Sequence, residues 1–561
     1  MRPRLLLLRR ALAPSPHPTT LRTFAQSTAV RYGARARPQL PFLSVPTSTR
    51  AAQRVRYLTT ERKAQLKYEI KQGIKYTSYI WIVVACFAAC SIAISQEMLE
   101  RQYPSPHEWS YLTRMRFRGA HCERDQTDPA RPTDWLAVMQ WIQGAIERLE
   151  NPKVDGKGLK DAPSDHPPRT KDLRDMPEAW RRGYFEAMML YAKAAEHLDG
   201  WMLDRTRKMV FPADMVVGPS NPKPRPIPAG VQGAPKEEDC EVAYEPADDI
   251  YLRLLNTEGL TSRQQMDARL AFASWLEFKG ITGPASIVYE EALELAISQR
   301  PDLSAEPVDR KTLTLNDAAG LPSANLLTAL TAYSTFRARN GDLSSSLPIF
   351  VSLLKARRSL PNSEFTVYEP PPPPEDEPTA ENITIQLGKK LLAKIMEPPY
   401  PPPPPDGSSP PFRDAKSICE EAALSLHIGE ILYASNPGSR EEGLGWTRDA
   451  VDVAEEQLHR LNLSATHKPA RTTCRDCLAT GLQNWSAMVA RLAKEEAARK
   501  EAQPKKQSWF GIGLWGHGKE EEDLTRWAAE ERVIEERTKR SQGLLEELEP
   551  PAWGIASFFR A

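Results

Sequence analysis

Residues 261–301, TSRQQMDARLAFASWLEFKGITGPASIVYEEALELAISQRP, decide the fold. Ser262 is placed to cap a helix whose apolar residues Met266, Leu270, Ala273 and Leu276 recur at intervals of three and four, the spacing of one helical face. Gly280 then ends that helix, because a left-handed C-terminal residue costs glycine no steric strain. A second helix opens at Pro284, which suits a first turn, and repeats Ala285, Val288, Tyr289, Ala292 and Ala296. The small residues on both faces predict two antiparallel helices in close contact.

Similar units recur. In residues 327–360, Ser334, Gly341 and Phe350 fall in matching places. A weaker copy runs through SREEGLGWTRDAVDVAEEQL, with Gly438, Gly443 and Ala450, and pairs with a helix over 418–434. FEAMMLYAKAAEHL at 185–198 has the same alternation of small and large residues. The pattern of Ala273, Gly280, Ala285, Tyr289 and Ala292 resembles a tetratricopeptide repeat. It departs from a tandem array, since residues 301–320 separate Gly280 from Gly341 by more than one repeat length. The expected fold is therefore all-α: degenerate tetratricopeptide-like hairpins, an α-solenoid, after a single transmembrane helix.

That transmembrane helix is YTSYIWIVVACFAACSIAIS, residues 76–95. The uncharged window between Lys75 and Glu97 is about twenty residues, roughly what a helix needs to cross ~30 Å of hydrocarbon. One such segment with a large polar part beyond it describes a tethered domain and excludes a multi-span transporter. The first 60 residues contain eleven Arg and no Asp, Glu or Lys, which is the composition of a mitochondrial transit peptide. Arg9 and Arg10 break the apolar run at Leu5–Leu8, too early for a secretory signal. Arg62, Lys63, Lys67, Lys71 and Lys75 precede the span, against Arg101 as the one cation close behind it. The positive-inside rule then keeps the N-terminal side in the matrix and sends everything after Gln96 to the intermembrane space.

The expected organisation is a transit peptide (1–58), a matrix segment (59–75), the span (76–96) and an N-terminal helical region (97–211). A Pro/Gly-rich linker (212–249), repeats (250–360), a proline-rich insert (361–411) and a C-terminal helical region (412–561) follow. Within the insert, the tracts EPPPPPEDEP and PPYPPPPPDGSSPP should be extended polyproline II, serving as a rigid spacer or as a docking sequence. The whole chain has 74 Lys+Arg against 73 Asp+Glu, and losing the eleven leader Arg leaves 63 against 73. A mature protein about ten charges negative lacks the basic footprint of nucleic-acid binding.

This combination resembles a fungal family, the tetratricopeptide adaptor subunits of the mitochondrial inner-membrane i-AAA protease supercomplex. The residues that carry the likeness are KYEIKQGIKY before the span, SQEMLERQYPSPHEW after it, and the C-terminal runs DCLATGLQNWSAMVARLAKEE, SWFGIGLWG and LTRWAAEERVIEERTKR. The resemblance implies an adaptor that binds unfolded membrane or intermembrane-space proteins and presents them to AAA protease subunits. An alternative of another class is a scaffold or assembly factor for a translocase or respiratory complex, without a proteolytic role. The face such repeats turn inward would include Leu270, Ser274, Glu277 and Phe278.

No phosphate-cradling Gly loop, G-x-S-x-G or H-E-x-x-H occurs, so no enzyme chemistry and no cofactor is expected. Cys474 and Cys477 have the spacing of half a zinc site, and Cys419 and His427 are the ligands that would have to complete it. A disulfide involving this pair, or burial as small apolar residues, needs less, and no metal is assigned. SWFGIGLWGHG at 508–518 gathers Trp509, Phe510 and Trp515 among glycines. These rings either bind a partner or the membrane surface, or fold back into the protein.

Overall fold

The computed structural model describes residues 60–125, 132–163, 167–227, 233–299, 306–362, 400–461, 467–502 and 526–546. Over these residues the protein is mostly helical, with a few short strands. The chain divides into two compact units, 1–87 and 88–561. The boundary falls within α1 (Thr60–Gln102), the one described helix long and apolar enough to cross a membrane. Its apolar window buries none of its residues, and Trp81 and Phe87 stand 68% and 77% exposed. A window apolar on every side and exposed along its length suits lipid rather than water.

In the second unit α1 ends on a buried ion cluster. Glu100 is 2% exposed and accepts from the Ser105 backbone N–H at 2.9 Å. Arg114 pairs with it at 3.0 Å and Arg118 joins as well, both from α2 (Tyr111–Arg124). A carboxylate this buried needs its partners to offset desolvation. Glu100 is therefore a tie between α1 and α2 and contributes no free surface charge behind the span.

Beyond it come α3 (Trp135–Leu149), α4 (Glu178–His197), α5 (Ala247–Leu255), α6 (Ser262–Phe278), α7 (Thr282–Ser298), α8 (Ala324–Arg339) and α9 (Leu343–Arg358). After the proline-rich region the described helices are α10 (Ala415–Ser435), α11 (Arg440–Arg460), α12 (Lys468–Ala502) and α13 (Arg526–Glu546). Each packs on its neighbour, and α6–α7, α8–α9 and α10–α11 are hairpins.

Residues 261–299 form the hairpin that their sequence requires, with one adjustment. Thr261, not Ser262, is the cap: its hydroxyl accepts from Gln264 N–H at 3.3 Å, and the Gln264 side chain accepts from Thr261 N–H at 3.0 Å. This reciprocal box satisfies two helix-end donors where a lone Ser would satisfy one. Gly280 has φ +75° and Gly341 +91°, so both turns use the conformation that favours glycine. Met266, Ala273, Leu276, Ala285, Tyr289 and Ala292 are buried, and Leu270 is half-buried against the core.

The end of the region read as helical (97–211) and the segment read as a linker (212–249) share a small sheet. Strands 201–204, 209–212 and 240–242 form an antiparallel sheet in which 201–204 is central. The hairpin turn is built on Asp204, 1% exposed, whose carboxylate accepts from Thr206 N–H at 2.8 Å, Thr206 Oγ at 2.6 Å and Arg207 N–H at 3.2 Å. Asp in that role mimics a backbone turn. A separate pair of two-residue strands joins Lys160–Asp161 to Lys171–Asp172.

Two hydrophobic cores meet on α10. Leu424, Ile428 and Ile431 belong to the first, which extends back to Trp109. Cys419, Ala422, Leu426 and Tyr433 belong to the second, with α11, α12 and α13. Gly429 of α10 and Gly443 of α11 let the hairpin close: a Cβ on Gly443 would lie 2.5 Å from the Gly429 carbonyl oxygen. Cys419 is disulfide-bonded to Cys474, with Cα atoms 5.0 Å apart, which fastens the start of α10 to the start of α12. Cys477, one helical turn on, is a buried free thiol. The bridge thus involves one member of the Cys474/Cys477 pair and reaches across helices.

Candidate functional site

The face that the sequence marks for binding lies on α6 beside α8. At their N-terminal ends, Arg263 Nη1 donates to Asn325 Oδ1 at 2.8 Å. At their C-terminal ends, Arg339 Nη1 donates to Glu277 Oε1 at 3.4 Å. Contacts start-to-start and end-to-end mean that the two helices run parallel, side by side. Residues 263, 267, 270, 274, 277 and 278 fall within about 100° of one another around α6 at 3.6 residues per turn, so the four predicted residues share one stripe with Arg263.

Along that stripe the exposure differs. Leu270 packs against the core, Ser274 is exposed and Phe278 is 81% exposed. The Phe278 ring stacks on Trp275 at 5.7 Å between centroids, and Lys279 Nζ sits 4.8 Å from the Trp275 ring. Glu277 is already engaged, accepting from Tyr289 Oη at 3.1 Å as well as from Arg339. The Glu277 charge and burial push the Tyr289 phenol well above its ordinary range, burial contributing most. Glu277 is thus a brace between α6, α7 and α8, whereas Phe278 and Ser274 offer free contact surface. Trp509, Phe510 and Trp515 lie outside the described residues.

Sequence reasoning missed what occupies the N-terminal end of this face. Residues 400–409 of the proline tract lie there as an extended strap. Arg182 of α4 donates to Tyr400 Oη at 3.1 Å and to the Pro401 carbonyl at 2.5 Å, with its guanidinium 4.2 Å from the Tyr400 ring. Arg263 N–H donates to Asp406 Oδ1 at 3.1 Å, and Asn325 Nδ2 to the Asp406 carbonyl at 2.7 Å. The N–H groups of Asn325 and Ala324 donate to the carbonyls of Gly407 at 3.1 Å and Ser409 at 3.2 Å. Burial raises the Tyr400 phenol to about 12, with Glu186 adding to the rise and Arg182 opposing it. The signal available in the sequence was Asp406-Gly407, a turn dipeptide interrupting the prolines.

Other candidates do not assemble a reaction centre. His427 stacks on Phe350 at 5.2 Å and the Cys474 and Cys419 thiols are joined to each other, so the four residues weighed as zinc ligands do not form a thiolate set. Among the described residues no group of three or more His, Cys, Asp or Glu could hold a metal. A cavity of about 360 Å³ lies under the loop at 307–323, lined mainly by apolar side chains such as Ile297, Leu315, Leu321 and Leu326. Burial pushes the Cys477 thiol up to about 12, aided by Asp476, which leaves it an inert neutral group.

Comparison with known proteins finds no match: no protein-family model, no curated protein and no solved structure matches this chain.

Proposed function

We propose that this chain is a single-pass adaptor of the mitochondrial inner membrane, with its helical domain in the intermembrane space. There it binds unfolded polypeptides and presents them to a membrane-bound AAA protease. Its hairpins act as a degenerate tetratricopeptide-like solenoid, and the α6–α8 face is the surface offered to clients. The observation that carries this reading is Phe278, an aromatic ring 81% exposed and stacked on Trp275 on the stripe shared with Arg263. A stacked, exposed aromatic loses little entropy on binding and suits the apolar side chains that unfolded proteins display and folded ones hide.

The disulfide between Cys419 and Cys474 supports the placement, since such bonds persist in oxidising compartments and are rare in reduced ones. The cation asymmetry around the span supports the same orientation.

Crosslinking mass spectrometry in intact mitochondria tests the function. Crosslinks from the helical domain to an AAA ATPase and to incompletely folded proteins are expected. Crosslinks confined to translocase or respiratory subunits would replace delivery with the scaffold reading. Protease added to mitoplasts should digest everything beyond Gln96, and protection of that region would reverse the orientation.

A further inference from the structure

We propose that Arg182, Arg263 and Asn325 form a recognition site for an extended, proline-rich, acid-containing peptide, and that residues 400–409 are its built-in ligand. The strap is an intramolecular competitor that keeps similar segments of other chains out. This concerns the groove alone and holds whether or not bound chains reach a protease.

The first N–H groups of a helix have no partner within it. Here Arg263 N–H at the start of α6, and Ala324 and Asn325 N–H at the start of α8, point into one surface. The Arg182 guanidinium and the Asn325 amide add further donors. In each of the six hydrogen bonds described above, the helices donate and the strap accepts. Proline has a backbone carbonyl and no N–H, so a proline tract is rich in acceptors and poor in competing donors. Asp406 places its carboxylate at the positive end of α6. Polyproline II also keeps its carbonyls outward with little entropy left to lose on docking.

The fit is specific at Gly407. Its φ is +74°, and a Cβ there would lie 2.2 Å from Asn325 Oδ1. Only glycine permits both the turn and the approach. Arg182 is 7% exposed with its fork filled by Tyr400 and Pro401, so removing the strap would strip the cation of those partners and open it to another ligand. Prolines 401–405 and Asp406 remain exposed on their outer side, so the strap lies on the surface and its release unpacks no core.

The test uses the full chain in detergent micelles and a fluorescein-labelled peptide of the strap's own sequence, YPPPPPDGSSPP. Fluorescence anisotropy measures its binding. A tethered ligand acts at an effective concentration near the millimolar range, so the wild type should bind the peptide weakly. Gly407→Val, which clashes with Asn325, should bind it about 10- to 100-fold more tightly. Adding Arg182→Ala to that variant should reverse most of the gain. Tyr400→Ala with Asp406→Ala changes only strap side chains, and should show the same gain if Gly407→Val lowers the helical circular-dichroism signal. Equal binding by wild type and both strap variants would overturn the proposal. So would a gain that Arg182→Ala leaves intact, since the peptide would then be binding elsewhere.

Discussion

Replacing Cys419 and Cys474 with Ala removes a crosslink spanning 55 residues of sequence. Closing a loop of that length in the unfolded chain is worth about 4 kcal/mol in the chain-entropy account. Both residues are fully buried in the second core, where Ala is tolerated without an unsatisfied hydroxyl, so Ala is the cleaner substitution than Ser. The bridge joins only the starts of α10 and α12, so the loss should appear as local opening of 415–502 before the first core responds. Hydrogen exchange reads that opening directly. At about 1.4 kcal/mol per tenfold change, protection of amides in α10 and α12 should fall by up to about a thousandfold, while α6 and α7 change little. Non-reducing peptide mapping should recover the 419–474 link and a free Cys477. Exchange unchanged within a few fold, or a link between Cys474 and Cys477, would refute the cross-helix bridge and with it this account of how the C-terminal helices are held.

Burial, and next Arg124, lower His121 from 6.5 to about 4, so the folded state prefers it neutral. Between these values the unfolded chain binds more protons, so stability is full above about pH 6.5 and falls as pH drops toward 4. From pH 7 to 5 this one group should account for up to about 2 kcal/mol at 1.36 kcal/mol per unit; an unfolding midpoint in urea that His121→Phe leaves equally pH-dependent would contradict it. Gly443→Val should lower that midpoint by the equivalent of about 1–3 kcal/mol, because its Cβ meets the Gly429 carbonyl at 2.5 Å. Gly445→Ala, with open space around it, should be neutral or mildly stabilising. Phe278→Ala should change stability by no more than about 0.5 kcal/mol yet weaken binding of a reduced, carboxymethylated polypeptide by tenfold or more; equal affinity in a binding titration would remove Phe278 from the client surface.

Local chemistry was legible wherever it was decided within a few residues. The span at 76–95 needs only an uncharged apolar run, and the hairpin at 261–301 needs only helical spacing, a cap and Gly280. These are short-range properties, so reading them along the chain was enough to place α1, α6, α7, α8 and α9. Even here the cap shifted by one residue, because the Thr261–Gln264 box satisfies two donors together. The turn on Asp204 escaped notice because its three hydrogen bonds come from residues that look like any polar loop.

Tertiary structure decided what depends on residues far apart in sequence. Nothing near Cys474 distinguishes Cys477, one turn away, from Cys419, 55 residues away, as its partner. Only the packing of α10 against α12 brings the latter within bonding reach. The repeat pattern could place Glu277 on the inward face but not show that α7 and α8 engage it through Tyr289 and Arg339. The proline tract could be read as extended from its composition, since proline fixes its own backbone. Where it lies could not be read that way. That depends on donors from Arg182, Arg263 and Asn325, which come from three helices and form one surface only when those helices pack together.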